Sequence, residues 1–198
     1  MDVITHYDML TDENNDPFRD PPALRIYMDK WDGERFLDAL KLTKDKSVLE
    51  IGIGTGRLAA KVAGQCGSLV GIDISPKTVE RAKENLKSFG NISFICSDFN
   101  CHIFDRSFDV IYSSLTMMHF ERKRHIINKV SKLLNKGGVF CLSIDKKQEE
   151  YIDMGSRKLK IFPDTPENII SLINETDMSV VDVFETDFAY IIVSHKAI

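Results

Sequence analysis

The sequence has no excess of positive charge, since 26 lysines and arginines face 30 aspartates and glutamates and the formal net charge is −4 at pH 7. Nucleic acids and anionic membranes attract basic surfaces, so neither is predicted as the main partner. The N-terminus lacks the basic and then apolar regions of a secretory signal. No run approaches the roughly 18 apolar residues of a membrane span. These absences predict a cytoplasmic protein.

Cysteine is also scarce, and its spacing excludes common metal and redox motifs. None of the four cysteines, Cys66, Cys96, Cys101 and Cys141, belongs to a C-x-x-C pair. Cys96 and Cys141 stand among strand-like apolar residues, so both are predicted to be small core side chains. Cys96, Cys101 and His102 are close in sequence, but no second ligand cluster accompanies them. No metal site is therefore predicted.

The first 45 residues differ from the rest of the chain. The polar, turn-rich segment TDENNDPFRDPP (11–22) precedes ALRIYMDKWDGERFLDALKL (23–42), whose apolar residues share one helical face with a break at Gly33. This pattern predicts two short helices laid on a larger body. We therefore divide the chain into an N-terminal helical segment (1–45) and a main domain (46–198).

From residue 46 onwards, apolar strands alternate with amphipathic helices. The predicted strands are SVLEIGIG (47–54), SLVGID (68–73), NISFICSD (91–98), FDVIYSS (108–114) and GVFCLSID (138–145). The second of the intervening helices has Ser75 as N-cap, Pro76 at its first position and Gly90 at its exit. The third (121–138) is predicted to end at Gly137 and Gly138. Such alternation is typical of a parallel sheet covered on both faces.

The end of the chain follows a different pattern. TPENIISLINETDM (165–178) has helical periodicity, and two strands follow, SVVDVFETD (179–187) and AYIIVSHKA (189–197). Because almost no linker separates these strands, they can form only an antiparallel hairpin. The sheet is therefore predicted to be parallel with an antiparallel end.

Three glycines, Gly52, Gly54 and Gly56, follow the first strand, and Glu50 precedes them. Ligands of open parallel sheets bind beyond the carboxyl ends of the strands, where glycine lets the backbone approach them closely. The third glycine comes one residue too early for the dinucleotide pattern G-x-G-x-x-G, and no phosphate-binding lysine follows. Glu50 would repel a pyrophosphate. The loop therefore favours a ligand with a cationic amino acid head.

The next two strands also end in acids. Asp73, in GIDIS, lies 21 positions after Gly52, where a carboxylate can accept hydrogen bonds from both hydroxyls of a ribose. Such charge-assisted bonds contribute on the order of 1.5–3 kcal/mol each. Asp98 and Phe99, in CSDFN, reach the same edge, where the carboxylate suits the exocyclic amine of adenine. Three acids at one edge predict a nucleoside ligand that carries positive charge.

The ordered set VLEIGIGTGRL, GIDIS, SDFN, FDVIYSSLTMMHF, LLNKGGVFCLSI and terminal hairpin resembles the class I S-adenosylmethionine-dependent methyltransferases. The resemblance runs from Ser47 to the C-terminus. It implies a doubly wound α/β fold with a seven-stranded, mostly parallel sheet in the order 3-2-1-4-5-7-6. It also implies S-adenosylmethionine as methyl donor, with S-adenosylhomocysteine as product. The implied donor-binding residues are Glu50, Gly52, Gly54 and Gly56 at the methionine part, Asp73 and Ile74 at the ribose, Asp98 and Phe99 at adenine, and Ser113 and Ser114 below the sulfonium.

The methyl acceptor is predicted to be a small molecule, because the motifs of nucleic-acid, protein-arginine and catechol methyltransferases are missing. His119 is the candidate base near the active edge, with surface exposure or packing on Phe120 as the alternative. Tyr7 is predicted to contact the cofactor, as N-terminal tyrosines do in the family, or to pack on the core. Since no large insertion follows the fifth strand, the lid is expected from residues 1–45. The protein is expected to be a monomer or homodimer.

One aromatic residue and one basic run are predicted to have structural rather than functional roles. Trp31 is predicted to anchor the N-terminal helices rather than to line the acceptor pocket. The basic run ERKRH (121–125) is predicted to be a solvated helix face.

Two other functions stay open at this point. One is a non-catalytic protein that binds S-adenosylmethionine on the same fold. The other is an NAD-dependent oxidoreductase, although the glycine spacing and the terminal hairpin disfavour it.

Overall fold

The structure is a computed structural model that describes all 198 residues. Its strands are β1 (Ser47–Ile51), β2 (Ser68–Asp73), β3 (Ile92–Cys96), β4 (Phe108–Ser113), β5 (Leu134–Asp145), β6 (Tyr151–Asp153), β7 (Lys158–Lys160), β8 (Met178–Glu185) and β9 (Ala189–Lys196). Seven of them form one sheet in the order β3-β2-β1-β4-β5-β9-β8. The first five are parallel, and β9 is antiparallel to both β5 and β8. The predicted fold class and strand order are confirmed.

Helices cover both faces of the sheet. They are α1 (Val3–Asp12), α2 (Pro22–Met28), α3 (Gly33–Ala39), α4 (Arg57–Ala63), α5 (Pro76–Asn85), α6 (Lys123–Leu133) and α7 (Pro166–Asn174). The core divides into two apolar clusters, one that includes Phe36 of α3 and Leu58 of α4, and one that includes Ile126 of α6 and Ile169 of α7. None of the helices is both long and apolar enough to cross a membrane.

Two helix ends show how far local signals determine the fold. Ser75 caps α5 as predicted, because its side chain accepts a hydrogen bond from the amide of Thr78. The prediction that Gly137 and Gly138 end the next helix is wrong. That helix, α6, ends at Leu133, and Leu134 pairs directly with Phe108 at the start of β5. The need to bury Leu134 in the sheet outweighs the glycine signal.

The N-terminal segment contains a helix that the sequence did not reveal. Asp2 caps α1 by accepting a hydrogen bond from the amide of Thr5. Further along the segment, α3 is part of the main core, since Phe36 and Leu40 have no exposed surface. In contrast, α1 packs against α5 through Thr11 and Thr78, and no residue of α2 is buried. The division at residue 45 stays a prediction.

One prediction about burial is wrong, and another is wrong at a single residue. Cys96 is exposed because β3 is an edge strand of the sheet, whereas Cys141 in the central β5 is buried as predicted. Within the basic run, Lys123 is buried, whereas the other four residues (Glu121, Arg122, Arg124 and His125) are exposed as predicted. The segment between β5 and α7 also contains the small β6–β7 hairpin. This hairpin was not predicted, because its sequence has no clear alternation of apolar and polar residues.

Candidate active site

One cavity of about 530 Å³ lies at the carboxyl ends of β1, β2, β3 and β4. Val3 and Tyr7 of α1 cover it, together with Pro17 and Met28. The predicted site residues that line it are Tyr7, Glu50, Gly52, Gly54, Asp73, Ile74, Asp98, Phe99, Ser114 and His119. These ten residues come from five segments of the chain that are distant in sequence.

The glycine loop forms the floor of the cavity. Gly54 has φ +56°, and a Cβ added there would meet no atom within 4 Å, so its exposed face opens into free space. Gly52 has φ +79°, and a Cβ there would collide with the side chain of Thr116. Gly56 lies outside the lining and packs against Leu86 instead. The loop therefore presents bare backbone to the cavity mainly at Gly54.

Asp73 at the end of β2 holds this loop in place. One carboxylate oxygen accepts from the amide of Gly54 at 3.0 Å, and the other accepts from the amide of Ser75 at 3.1 Å. Burial raises the pKa of Asp73 above its ordinary value. A carboxylate has about four lone-pair positions, so two remain for a ligand.

The end of β3 provides the side of the cavity next to Asp73. Phe99 is almost fully buried, and Asp98 accepts a hydrogen bond from the amide of Asn100 at 2.8 Å. That bond closes a turn in which the aspartate side chain binds the backbone two residues on, and all three residues of the turn line the cavity.

Glu50 lies beneath the glycine loop within a buried polar network. The hydroxyl of Tyr112 donates to its carboxylate at 2.7 Å, and burial raises the pKa of Glu50 to about 8. Near it, the guanidinium of Arg57 donates to Asp32 and to Asp29. Because two acids already pair with Arg57, Glu50 can stay protonated at neutral pH without leaving that cation unpaired.

The two serines at the end of β4 differ in position. Ser113 is buried, donates to the carbonyl of Ile51 and lies outside the cavity lining. Ser114 lines the cavity and donates to Asp32 at 3.1 Å. Leu115 follows with φ +55°, a backbone conformation that is strained for a side chain of this size. Only Ser114 is placed to meet a ligand.

His119 and Tyr7 form a contact across the top of the cavity. The Tyr7 hydroxyl oxygen lies 2.8 Å from Nε2 of His119, although the residues are 112 positions apart. Burial lowers the pKa of His119 to about 4, so its ring is neutral at pH 7. Its Nδ1 is buried without a hydrogen-bond partner. Burial also raises the pKa of Tyr7, which keeps the phenol protonated.

Sequence reasoning missed Arg57, Asp32 and Thr116. Arg57 directly follows the glycine loop, so its position in the sequence could have indicated that it lies near the site. Asp32 precedes the loop by about twenty residues and gave none, because its pairing depends on how α3 packs. Trp31 lies outside the lining, donates to Asp145 and packs against Phe188, as predicted for an anchor.

Comparisons with known proteins agree with this geometry. A family model described as a methyltransferase domain matches residues 42–179. Malonyl-[acyl-carrier protein] O-methyltransferase 1 of Ilyobacter polytropus is 31% identical over 102 residues, which cover 50% of this chain and 38% of that protein. Phosphoethanolamine N-methyltransferase 1 of Triticum aestivum is 27% identical over 142 residues, which cover 69% of this chain and 28% of that protein.

The chain thus spans less than half the length of either of these curated relatives. Among solved structures, the DhpI–SAH complex superposes with a TM-score of 0.77 at 17% identity, covering 98% of this chain and 95% of that chain. This likeness extends the agreement in fold to the N-terminal segment. The family match confirms the predicted family, and the chain belongs to the methyltransferase domain family, whose methyl donor is S-adenosylmethionine.

Proposed function

We propose that this protein transfers a methyl group from S-adenosylmethionine to a small-molecule acceptor in the cavity described above. The observation that carries the proposal is the convergence of the glycine loop, Asp73 and Asp98 on one cavity with His119 and Tyr7 at its top. In this proposal the methionine part lies over Gly54, the ribose at Asp73 and the adenine between Asp98 and Phe99.

The residues present fit this donor. The open face at Gly54 offers a cradle that any Cβ would fill. The free lone pairs of Asp73 can accept two hydroxyl protons, and Ile74 offers an apolar surface next to them. Glu50 supplies a carboxyl group whose ionised form becomes more favourable when a cation binds nearby. Gly56 and Ser113 have no part in the proposed contacts, because both lie outside the cavity lining.

When bound, the donor supplies a methyl group that is already activated towards an in-line displacement. The chain then has to hold the reacting groups in line and to exclude water. Positioning of this kind can lower a barrier by up to roughly 7–11 kcal/mol. The strained backbone at Leu115 and the cover provided by α1 serve these two tasks.

His119 is assigned the role of accepting the proton that the acceptor loses. A neutral imidazole can do so, and the low pKa of His119 keeps its ring neutral at pH 7. In the tautomer that this role requires, Nε2–H donates to the Tyr7 hydroxyl oxygen and holds the ring, and Nδ1, which has no other partner, is the nitrogen proposed to accept the proton. Tyr7 is therefore a positioning residue and His119 a catalytic one.

The size and cover of the cavity support a small acceptor. A volume of about 530 Å³ lies within the range of roughly 300–1,000 Å³ that is typical of single small-molecule sites. The names of the two curated relatives specify O-methylation and N-methylation, so they favour neither atom. A nucleic acid is disfavoured by the net charge of −4. The cytoplasmic location and the monomeric or dimeric state stay predictions.

Calorimetry tests the proposal in two stages. Titration with S-adenosylmethionine and S-adenosylhomocysteine is expected to show binding, whereas NADH is expected to show none. A library of small acceptors is then screened for release of S-adenosylhomocysteine. Binding of NADH alone would contradict the proposal, and donor binding without turnover on any acceptor would favour a non-catalytic binding protein.

A further inference from the structure

Lys123 is buried beside the cavity and binds main-chain carbonyls. It is the first residue of α6, and its ammonium donates to the carbonyl oxygen of Phe120 at 2.8 Å and to that of Phe162. Only 7% of the residue is exposed, and an oxygen of Asp164 lies 3.6 Å from Nζ. The amide of Phe162 also donates to the carbonyl of Met118. Lys123 thus joins the loop that carries His119 to the segment that follows the β6–β7 hairpin.

Lys129 makes the same kind of contact with a different loop. Its ammonium donates to the carbonyls of Phe99, Asn100 and His102, and Nζ lies 4.8 Å from the centroid of the Phe99 ring. These carbonyls belong to the turn that begins at Asp98. Lys129 therefore holds the loop that is proposed to face adenine.

Apolar residues could fill these positions on α6 at a lower cost in desolvation. Burial lowers the pKa of both Lys123 and Lys129, which shows that each ammonium loses solvation in the fold. An ammonium can bind several carbonyl oxygens at once from different directions, which no apolar side chain can do. The two loops have few strand partners of their own, so these bonds restrict their backbones.

We propose that Lys123 and Lys129 are positioning residues that separately fix the two sides of the cavity. Lys129 fixes the loop Asp98–His102, and Lys123 fixes the loop Ser114–Phe120. The assignment of these loops to donor and acceptor rests on the proposed function. The independence of the two lysines does not, because each contacts its own set of carbonyls.

Lys196 provides a matched control within the same chain. Its ammonium donates to the carbonyls of Ser131 and Leu134 at 2.7 and 2.9 Å, and Asp177 lies 3.5 Å away. It therefore has the same chemistry as Lys123, but none of these residues lines the cavity. A general loss of stability would appear in a Lys196 variant as well.

Hydrogen–deuterium exchange of the ligand-free protein tests the independence of the loops. Lys129→Met is expected to speed exchange about tenfold at the amides of Cys101 and His102, which donate to Asp98, and to leave the His119 loop unchanged. Lys123→Met, combined with Asp164→Asn to avoid an unpaired acid, is expected to speed exchange in Ser114–Phe120 and at the amide of Phe162, which donates to Met118, and to leave Asp98–His102 unchanged. Lys196→Met is expected to change neither loop.

Titration with S-adenosylmethionine then tests which of the two loops contacts the methyl donor. Lys129→Met is expected to weaken donor binding about tenfold, and the Lys123→Met/Asp164→Asn and Lys196→Met variants by less than about twofold. If the double variant does not fold, Lys123→Arg is expected to speed exchange in the same loop by a smaller factor.

Three results would overturn the inference. The first is an equal increase in the exchange rate of both loops in either lysine variant, and the second is no increase in either loop. The third is the same pattern of increases in Lys196→Met. Failure of the wild-type protein to bind S-adenosylmethionine would contradict the proposed function instead. The exchange measurement would still decide the role of the lysines in that case.

Discussion

The two sides of the cavity are built in different ways. On the donor side, an acid at a strand end fixes the adjacent loops, since Asp73 accepts hydrogen bonds from the amides of Gly54 and Ser75. On the acceptor side, groups from distant segments meet, such as Tyr7 with His119 and Lys123 with the carbonyl of Phe162. The donor side is therefore built mainly on the ends of β1 and β2, with Lys129 holding the Asp98–His102 loop beside them. The acceptor side is assembled by contacts between segments that are distant in sequence.

The first way to sharpen this comparison is to remove the proposed base. His119→Gln is expected to lower kcat by about 1,000-fold, since general base catalysis contributes about 10²–10⁴-fold. Donor affinity is expected to change by less than about twofold, because the donor side stays intact. His195→Gln, at an exposed position on β9, serves as the control. Unchanged kcat in His119→Gln would remove His119 from the mechanism.

The second way is to remove the cover. A variant that lacks residues 1–13 is expected to lose about 100-fold in turnover, because water enters the site and the orientation of His119 is lost. Its donor affinity is expected to fall by less than about tenfold. The deletion removes α1 but leaves α3 in place, because Phe36 and Leu40 belong to the core. Tyr7→Phe serves as the minimal comparison, and equal losses of affinity and turnover would contradict the division into two sides.

The third way acts on the donor side alone. Asp73→Ala is expected to weaken S-adenosylmethionine binding by about tenfold or more, through loss of charge-assisted bonds. Asp109→Ala is the matched control, because Asp109 also accepts a hydrogen bond from a main-chain amide, that of Ser47, but lies outside the cavity lining. Unchanged affinity in a folded Asp73→Ala protein would mean that the ribose lies elsewhere.

The smallest effect expected is on stability as the pH falls. His119 has a folded-state pKa of about 4 against an ordinary value of 6.5. Between these values the unfolded chain binds a proton that the folded protein does not, so the free energy of unfolding decreases as the pH falls from 6.5 towards 4. His119→Gln is expected to flatten this part of the Tm against pH curve. An equal slope in both proteins would show that His119 is not buried in its neutral form.

The donor side of the cavity could be predicted from the sequence better than the acceptor side. The ends of β1, β2 and β3 and the cap at Ser75 could be read from sequence, because their signals are local and short in range. The contact between His119 and Tyr7 could be proposed only as two separate candidates, since nothing local links residues 112 positions apart. The helix α1 was missed because its face towards α5 is polar, with Thr11 meeting Thr78 rather than an apolar pair.

Burial of charge was the least predictable property. Lys123 stands in a basic run that is typical of a solvated helix face, and only the packing of the segment near Phe162 encloses it. Asp32 gave no signal for the same reason, because its partner Arg57 lies on another element. Sequence patterns reveal which side chains are apolar, but they do not reveal which charges the tertiary structure will pair.

A crystal structure with S-adenosylhomocysteine bound is the most direct test of how the donor is held. The account predicts the ribose hydroxyls within hydrogen-bond distance of the Asp73 carboxylate, the amino acid part over Gly54 and the adenine next to Phe99. An empty cavity in such crystals, or a nucleoside bound away from the ends of β1, β2 and β3, would contradict it.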